Sequence, residues 1–170
     1  MVAAGDLPAL EARLRAVEDE LEIRRLILSY GPAADAGMAA LAASVWQEDG
    51  LYDWDANGDP HVGRAGVEAM LLTDAHQGLT KAGVAHFAGP PLIQIDGDTA
   101  VAITYSLIMR RDAENDAFYL WRVSAVRWDL GRADGSWGVT RRTNRLLDDT
   151  AAGRELFGAT LKDTRGADAR

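Results

Sequence analysis

Hydrophobic positions near the start of the chain recur at intervals of three and four residues. The positions in this stripe are Leu7, Leu10, Leu14, Val17 and Leu21. Such spacing places apolar side chains on one face of a helix, and Asp6 and Pro8 suit its beginning. The apolar pattern continues through Tyr30, after which Gly31-Pro32 predicts a kink or the end of the helix. A second, short helix is expected from residue 38 to about residue 46.

The middle of the chain contains a short strand, a turn and a further helix in this interpretation. Residues 51–54 read as the strand, and residues 55–60 read as a turn because they include Asn57-Gly58. Helical spacing returns at Val67, Met70 and Leu71, which predicts a helix over residues 63–78.

The second half of the chain changes to a period of two, which is typical of strands. Strands are predicted over residues 93–95, 101–109, 118–130 and 137–147. Turns are expected at Asp96-Gly97-Asp98 and at residues 133–136. In the strand 101–109, large apolar side chains occupy one face, and a smaller, more polar set that includes Thr104 and Ser106 occupies the other. A short helix from residue 150 and a flexible tail over residues 160–170 complete the expected order.

Helices followed by a long antiparallel meander predict an α+β fold. A curved sheet of this kind folds over its helices and leaves a pocket between them. Neither a repeat nor a linker divides the chain, and its length suits a single domain over residues 1–170 with a core over about 7–148.

Composition narrows the functional classes. The chain has a net charge of -8 and no cysteine, which argues against a nucleic-acid partner and excludes disulfides, thiol catalysis and cysteine-held metals. No histidine pairs have metal-ligand spacing, and no phosphate-binding loop is present, so neither a metal nor a cofactor is expected. No signal peptide or membrane-spanning segment is recognisable, which makes a cytoplasmic location the default expectation.

Three histidines are candidates for acid–base chemistry. His61 follows the predicted turn and reads as an exposed loop residue. His76 lies near the end of the predicted helix 63–78, where the helix dipole favours a capping imidazolium. His86 differs because it lies within an apolar, strand-like stretch and needs a hydrogen-bonding partner if it is buried. It is either a satisfied core residue or a functional imidazole.

Asp35 and a basic run near the end of the chain each allow two interpretations. Asp35 lies between two predicted helices, where it either caps the second helix or orients a histidine at the mouth of the pocket. Arg141, Arg142 and Arg145 either contact solvent or another subunit, or contribute Arg142 to the pocket together with Asn144. The alternation of the strand places Arg142 and Asn144 on one face.

The order of these motifs resembles SnoaL-like proteins of the nuclear transport factor 2-like superfamily. The resemblance is carried by residues 22–30, Asp35, residues 41–50, the segment at Gly63, the strand with His86, and the turns at 95–100 and 134–137. It extends over about residues 21–147. It implies a cone-shaped α+β barrel whose helices pack in a curved, mixed and mainly antiparallel sheet.

The branch that the chain resembles most contains scytalone dehydratase and hexachlorocyclohexane dehydrochlorinase. The resemblance implies a cofactor-free and metal-free lyase or isomerase in which Asp35 and His86 form a general-base dyad. Tyr30 and Arg142 match pocket residues that would hold a developing or departing negative group. We expect an apolar pocket for a small hydrophobic substrate, lined by Trp54, Phe87, Phe118, Leu120 and Asn144.

Two departures and two alternative functions accompany this resemblance. The strand 99–111 has no histidine, unlike the scytalone dehydratase pocket, and Pro90-Pro91 interrupts strand pairing after His86. The alternatives are a non-catalytic ligand-binding or oligomerisation module, and a β-subunit of a ring-hydroxylating oxygenase. The resemblance also implies a homodimer or homotrimer that associates through an exposed sheet face. The acidic composition predicts neither a nucleic-acid nor a membrane partner.

Overall fold

The structure is a computed structural model that describes residues 7–55 and 59–165. The helices are α1 (Leu7–Asp35), α2 (Ala39–Ala43), α3 (Gly63–Leu71), α4 (Asp74–Ala82) and α5 (Ala152–Arg165). The strands are β1 (Trp46–Asp53), β2 (His61–Val62), β3 (Val84–Ala88), β4 (Leu92–Asp96), β5 (Thr99–Asp112), β6 (Ala117–Ala133) and β7 (Ser136–Leu146). The centre of the predicted turn and the last five residues of the predicted tail lie outside the described residues.

The first two elements differ from the sequence-based expectation at their ends. Helix α1 does not end at Gly31-Pro32 but continues to Asp35, which gives it a length of 29 residues. Pro32 therefore removes one helical hydrogen bond without ending the helix, because the apolar residues around it are buried against the sheet. The second helix is only five residues long, and Trp46 already begins β1.

Two further expectations require correction. The single helix predicted over residues 63–78 is two helices, because Thr73 begins a new one by accepting a hydrogen bond from the His76 backbone N–H. Residues 160–165 form the end of α5 and are not part of a separate tail.

The sheet is mixed and mainly antiparallel, as predicted. Its order is β2-β1-β7-β6-β5-β3, and among the described strands only β1 and β7 pair in parallel. Within the described residues the sheet is open, with β2 and β3 as its end strands, so the predicted barrel is not closed by strand pairing. The predicted α+β class is confirmed: helices pack against a mixed, mostly antiparallel sheet.

Pro90-Pro91 lies at the point where β5 changes its edge partner. Strand β3 pairs with Ser106–Arg110 of β5, and β4 pairs with Thr99–Ile103. A residue without a backbone N–H is tolerated at such a junction because no ladder hydrogen bond is lost. The predicted interruption of the edge therefore separates β3, which carries His86, from β4.

The core lies between the helices and the small-residue face of β5. On β5 the side chains of Ala100, Ala102, Thr104 and Ser106 are buried. Their small size leaves room for Trp46 and Trp128, whose rings lie 6.4 Å apart. The opposite face of β5 contacts α5, where Tyr105 and Phe157 have ring centroids 4.9 Å apart.

The beginning of α1 does not contribute to this core. Every described residue from Leu7 to Glu18 is exposed, and the first buried position is Ile23. The core therefore begins at Ile23 and not near residue 7. None of the described helices is both long and apolar enough to cross a membrane.

Gly31 determines how closely α1 can approach β3. A Cβ atom at this position would lie 2.1 Å from the backbone oxygen of His86. Only a residue without a side chain allows this approach, which brings the last turn of α1 next to His86.

We predict that Gly31→Ala destabilises the protein by about 1–3 kcal/mol, because backbone atoms of β3 must move to admit the methyl group. Thermal unfolding followed by circular dichroism measures the change. The matched control is Gly158→Ala in α5, where an added Cβ meets nothing within 4 Å. Better helix propensity should leave that variant equally or slightly more stable. Equal stability of the two variants would contradict the proposed constraint.

Candidate active site

Asp35 is the last residue of α1 and does not cap α2. The chain leaves the helix through Gly37, which has a φ of 71°, while the Met38 N–H donates to the Ala33 carbonyl at 2.9 Å. This is a Schellman-type helix end. The residue that precedes α2 is Met38, which makes no side-chain cap. A carboxylate is disfavoured at a helix C-terminus by the helix dipole, so Asp35 needs compensation from elsewhere.

That compensation comes from His86 on β3. Asp35 Oδ1 lies 2.5 Å from His86 Nδ1, and Asp35 Oδ2 accepts a hydrogen bond from the His86 backbone N–H at 2.8 Å. Both carboxylate oxygens therefore bind the same residue. This bidentate contact fixes the imidazole plane relative to α1.

The contact also determines which nitrogen of His86 is basic. An ionised carboxylate can only accept hydrogen bonds, so in the neutral imidazole this contact selects the tautomer with the proton on Nδ1 and the lone pair on Nε2. The side chains of His86 and Asp35 are 14% and 22% exposed, which leaves the imidazole largely shielded from water. A carboxylate-oriented imidazole in this state is suited to accept a proton.

His86 lines a cavity of about 580 Å³ that lies between the sheet, α1 and α4. Five of the residues predicted for the site line it: Tyr30, Trp54, His86, Arg142 and Asn144. Asp35 lies behind His86 and is not among the lining residues. The cavity also has lining residues that the sequence analysis did not select, including Tyr52, Met70, His76, Leu79, Ile108 and Trp121.

Three predicted pocket residues lie outside this cavity. Phe87, Phe118 and Leu120 are 50%, 68% and 53% exposed. Phe87 follows His86 on the same strand, and alternation directs the two side chains to opposite faces. Phe118 and Leu120 pair with Arg111 and Met109 near the far end of the β5–β6 hairpin.

Arg142 enters the cavity because β7 contains an irregularity. Leu130 pairs with Val139 and Asp129 with Arg141, which leaves Thr140 as an extra residue on β7. The side chains of Arg142 and Asn144 are consequently buried. The solvent or subunit interpretation of the basic run therefore does not hold for Arg142, while Arg145 forms an ion pair with Asp53 at 2.8 Å. That ion pair lowers the pKa of the Asp53 carboxyl.

The guanidinium of Arg142 has aromatic neighbours and no carboxylate partner within the described residues. Its central carbon lies 4.6, 4.8 and 4.4 Å from the ring centroids of Tyr30, Tyr52 and Trp128. The residue is 4% exposed, and its Nε and Nη1 atoms make no hydrogen bond in the described part of the chain. Cation–π contacts offset part of the cost of burial but satisfy no N–H donor. The wall of the cavity thus contains a guanidinium that has no anionic partner among the described residues.

Tyr30 complements this cation with a neutral hydroxyl group. Burial raises the pKa of the Tyr30 phenol well above its usual value of 10.0, and Tyr52 adds to the increase. The phenol is therefore protonated at neutral pH and can donate a hydrogen bond.

His76 is the main site residue that sequence reasoning missed. It lies in the first turn of α4 and not at a helix end, so the expected capping role is wrong. Its ring is stacked 5.7 Å from that of His86. Burial lowers the pKa of His76 from its usual value of 6.5, and the facing His86 contributes to the decrease. His76 is consequently a second, neutral imidazole beside the dyad.

Local signals could have indicated some of the missed residues. Tyr52 and Trp54 are two residues apart in the predicted strand 51–54, so the choice of Trp54 implies Tyr52 as a neighbour. His76 had no such signal, because the break between α3 and α4 determines that its side chain points into the cavity. His61 lies on β2, where it accepts a hydrogen bond from Trp54 Nε1 at 3.1 Å, and it does not line the cavity. Among the described residues, no group of three or more histidine or acidic side chains is arranged to hold a metal ion.

Comparison with known proteins defines the family and the class of this fold. Residues 15–143 match the SnoaL-like domain, so the chain belongs to the SnoaL-like family. The predicted membership is therefore confirmed. The family includes isomerases, dehydratases and ring-hydroxylase subunits, and membership alone specifies none of these activities. No curated protein matches the chain.

Solved structures show the same fold. An NTF2-like protein with a cystatin-like fold from Novosphingobium aromaticivorans is 42% identical, with 91% of this chain and 98% of that chain covered and a TM-score of 0.85. A variant of a protein of unknown function from Mycobacterium tuberculosis is 19% identical, with coverage of 96% and 94% and a TM-score of 0.67. A protein from Catenulispora acidiphila, solved in complex with S-DNPA, is 21% identical, with coverage of 83% and 98% and a TM-score of 0.65.

We predict that Arg142→Met leaves the free energy of unfolding unchanged or raises it. Removing a buried cation that has no charged partner relieves a desolvation cost, and Met fills a similar volume among the aromatic rings. Urea unfolding followed by tryptophan fluorescence measures the difference. Arg145→Met is the comparison, since it removes the two short contacts of Arg145 with Asp53 and leaves the longer one from Arg141 at 3.6 Å, which should destabilise the fold. If Arg142→Met lowered the free energy of unfolding by more than about 3 kcal/mol, the guanidinium would be a structural group.

Proposed function

We propose that this protein is a cofactor-independent lyase or isomerase that acts on a small, hydrophobic substrate. The observation that carries the proposal is the bidentate contact of Asp35 with His86 at the wall of an apolar cavity. His86 is the general base, and Asp35 is the positioning residue that holds it.

The first step is removal of a proton from carbon. His86 Nε2 takes a proton from a carbon next to an electron-withdrawing group such as a carbonyl, and the electron pair of that C–H bond moves into the activating group. Asp35 stabilises the imidazolium that results. His76 stays neutral and adds no competing positive charge beside it.

The second step distributes the negative charge that develops on the substrate. Arg142 lies within the cavity with unpaired donors, and Tyr30 supplies a neutral hydroxyl group. In an isomerase, the proton returns from His86 to another carbon of the delocalised anion. In a lyase, the electron pair forms a double bond while a hydroxyl or halide leaves, and a departing hydroxyl takes a proton from Tyr30 or from the imidazolium.

The cavity indicates the class of substrate. A volume of about 580 Å³ suits a molecule of one to three rings. Tyr52, Trp54, Ile108 and Trp121 provide apolar and aromatic walls, whereas Arg142 offers one site for an oxygen or halide. Arg110, Arg122 and Asp74 also line the cavity, so we propose a mostly hydrophobic compound whose reacting end contacts Arg142.

The alternative functions are less well supported by the same geometry. A ligand-binding module has no need of a carboxylate at an unfavourable helix end that also orients an imidazole. A β-subunit whose role is to assemble with a larger subunit has no need of this arrangement either.

We predict that Asp35→Asn and His86→Gln each lower the elimination or isomerisation rate by about 100- to 10,000-fold. Asn cannot hold the Nδ1–H tautomer in the same way, and Gln cannot accept the proton. The assay is a panel of β-hydroxy ketones and halogenated rings, and it includes deuterium exchange from D₂O at the activated carbon, followed by NMR.

Asp148→Asn is the matched control, because Asp148 is an exposed carboxylate that does not line the cavity. It should retain full activity. Turnover that persists in both dyad variants would refute the mechanism, provided that thermal unfolding shows both variants to be folded.

A further inference from the structure

The apolar stripe at the beginning of α1 follows a strict seven-residue repeat. Its apolar members are Leu7, Leu10, Leu14, Val17, Leu21 and Leu28, and Arg24 occupies the remaining position of the repeat. The spacings alternate between three and four residues. If Leu7 occupies position a of a heptad, leucine fills every a position through Leu28. The d positions are Leu10, Val17 and Arg24. A sustained a/d pattern of this kind is typical of a coiled-coil seam.

The seam faces away from the rest of the protein. Its six apolar members are 39–56% exposed. The buried residues of the same helix, such as Ile23, Ile27 and Tyr30, lie at c and g positions, on a different face of the helix. One helix therefore has two apolar faces, of which the folded domain covers only one.

The exposed part of α1 is long enough to need support. Residues 7–18 form about three turns with no buried side chain. Such a segment is marginal on its own in water, because helices in proteins depend on packing of an apolar face. The repeat from Leu7 to Leu28 extends over about 30 Å, which is sufficient for three heptads.

Charges beside the seam favour a parallel partner with the same sequence. Between residues 7 and 25, position g holds Arg13 and Glu20, and position e holds Glu11, Glu18 and Arg25. In a parallel, in-register pair, each g residue faces the e residue five positions later on the other helix. Arg13 then faces Glu18, and Glu20 faces Arg25, so both pairs are attractive and each occurs twice.

The same charges argue against a membrane surface as the partner. Between residues 7 and 25, α1 carries five acidic and four basic residues. Helices that bind anionic membranes are rich in lysine and arginine on their polar face.

We propose that α1 associates with α1 of a second copy as a parallel, in-register coiled coil. This interface is distinct from the sheet-face contact that the family resemblance implies. It does not depend on the proposed catalytic activity. Because α1 also carries Tyr30 and Asp35 in its last two turns, the association anchors the helix that holds one half of the dyad.

The mass of the full chain in solution tests the interface. We expect the wild-type protein to be an oligomer at micromolar concentration by analytical ultracentrifugation, and Leu14→Glu to lose a partner and have a smaller mass. Arg15→Glu, an exposed charge change at the neighbouring b position, should keep the wild-type mass. A monomeric wild-type protein, or an oligomer that Leu14→Glu leaves intact, would overturn the proposal. Circular dichroism verifies that the variant domains are folded.

Cysteine cross-linking tests the orientation, and the natural chain has no cysteine to interfere. In a parallel, in-register pair, the residue at position a faces its own counterpart within reach of a disulfide. Oxidised Leu14→Cys should therefore form a covalent dimer at least ten times faster than Arg15→Cys. Equal rates for the two variants would contradict the arrangement, because an antiparallel pair would place position a opposite position d.

Discussion

The close approach of α1 to β3 is the constraint on which the site depends. Gly31 lets the helix backbone contact the His86 backbone, and Asp35 lies one helical turn after Gly31, at the end of the helix. That turn places a carboxylate at the end of a helix where its charge is unfavourable. Both oxygens of Asp35 bind His86, so the electrostatic cost at the helix end is offset by a contact that also orients an imidazole. The position of Asp35 is thus unfavourable for the helix but supports the proposed active site, and such local conflicts are common at functional sites.

The cavity beyond His86 combines two kinds of group that are costly to bury. One is the carboxylate–imidazole pair, and the other is the Arg142 guanidinium, which has three aromatic neighbours and no anionic partner among the described residues. Tyr30 contacts the guanidinium through its ring, and its hydroxyl group remains protonated because of burial. A substrate that develops negative charge during proton transfer would supply the anionic partner that Arg142 lacks. The base and the cation are therefore complementary parts of one proposed mechanism.

Much of the fold could be predicted from the sequence, because the hairpin turns and the alternating pattern of β5–β7 are local signals. The positions of Tyr30, His86 and Arg142 in one cavity agree with the interpretation from family resemblance, although the irregularity at Thr140 that buries Arg142 has no sequence signal. Phe118 and Leu120 were misplaced because the hairpin extends beyond the cavity, which alternation alone does not reveal. His76 was missed because the break before α4, made by the Thr73 cap, determines where its side chain points.

The tautomer of His86, measured by ¹⁵N and ¹H NMR of the imidazole in the wild-type protein at neutral pH, tests the proposed mechanism most directly. We expect a proton on Nδ1, shifted downfield by the Asp35 contact, and an Nε2 with the chemical shift of an unprotonated nitrogen. Asp35→Asn should abolish the downfield signal. A His86 imidazole that carries its proton on Nε2 would have no base directed at a substrate, and the proposed mechanism would be wrong.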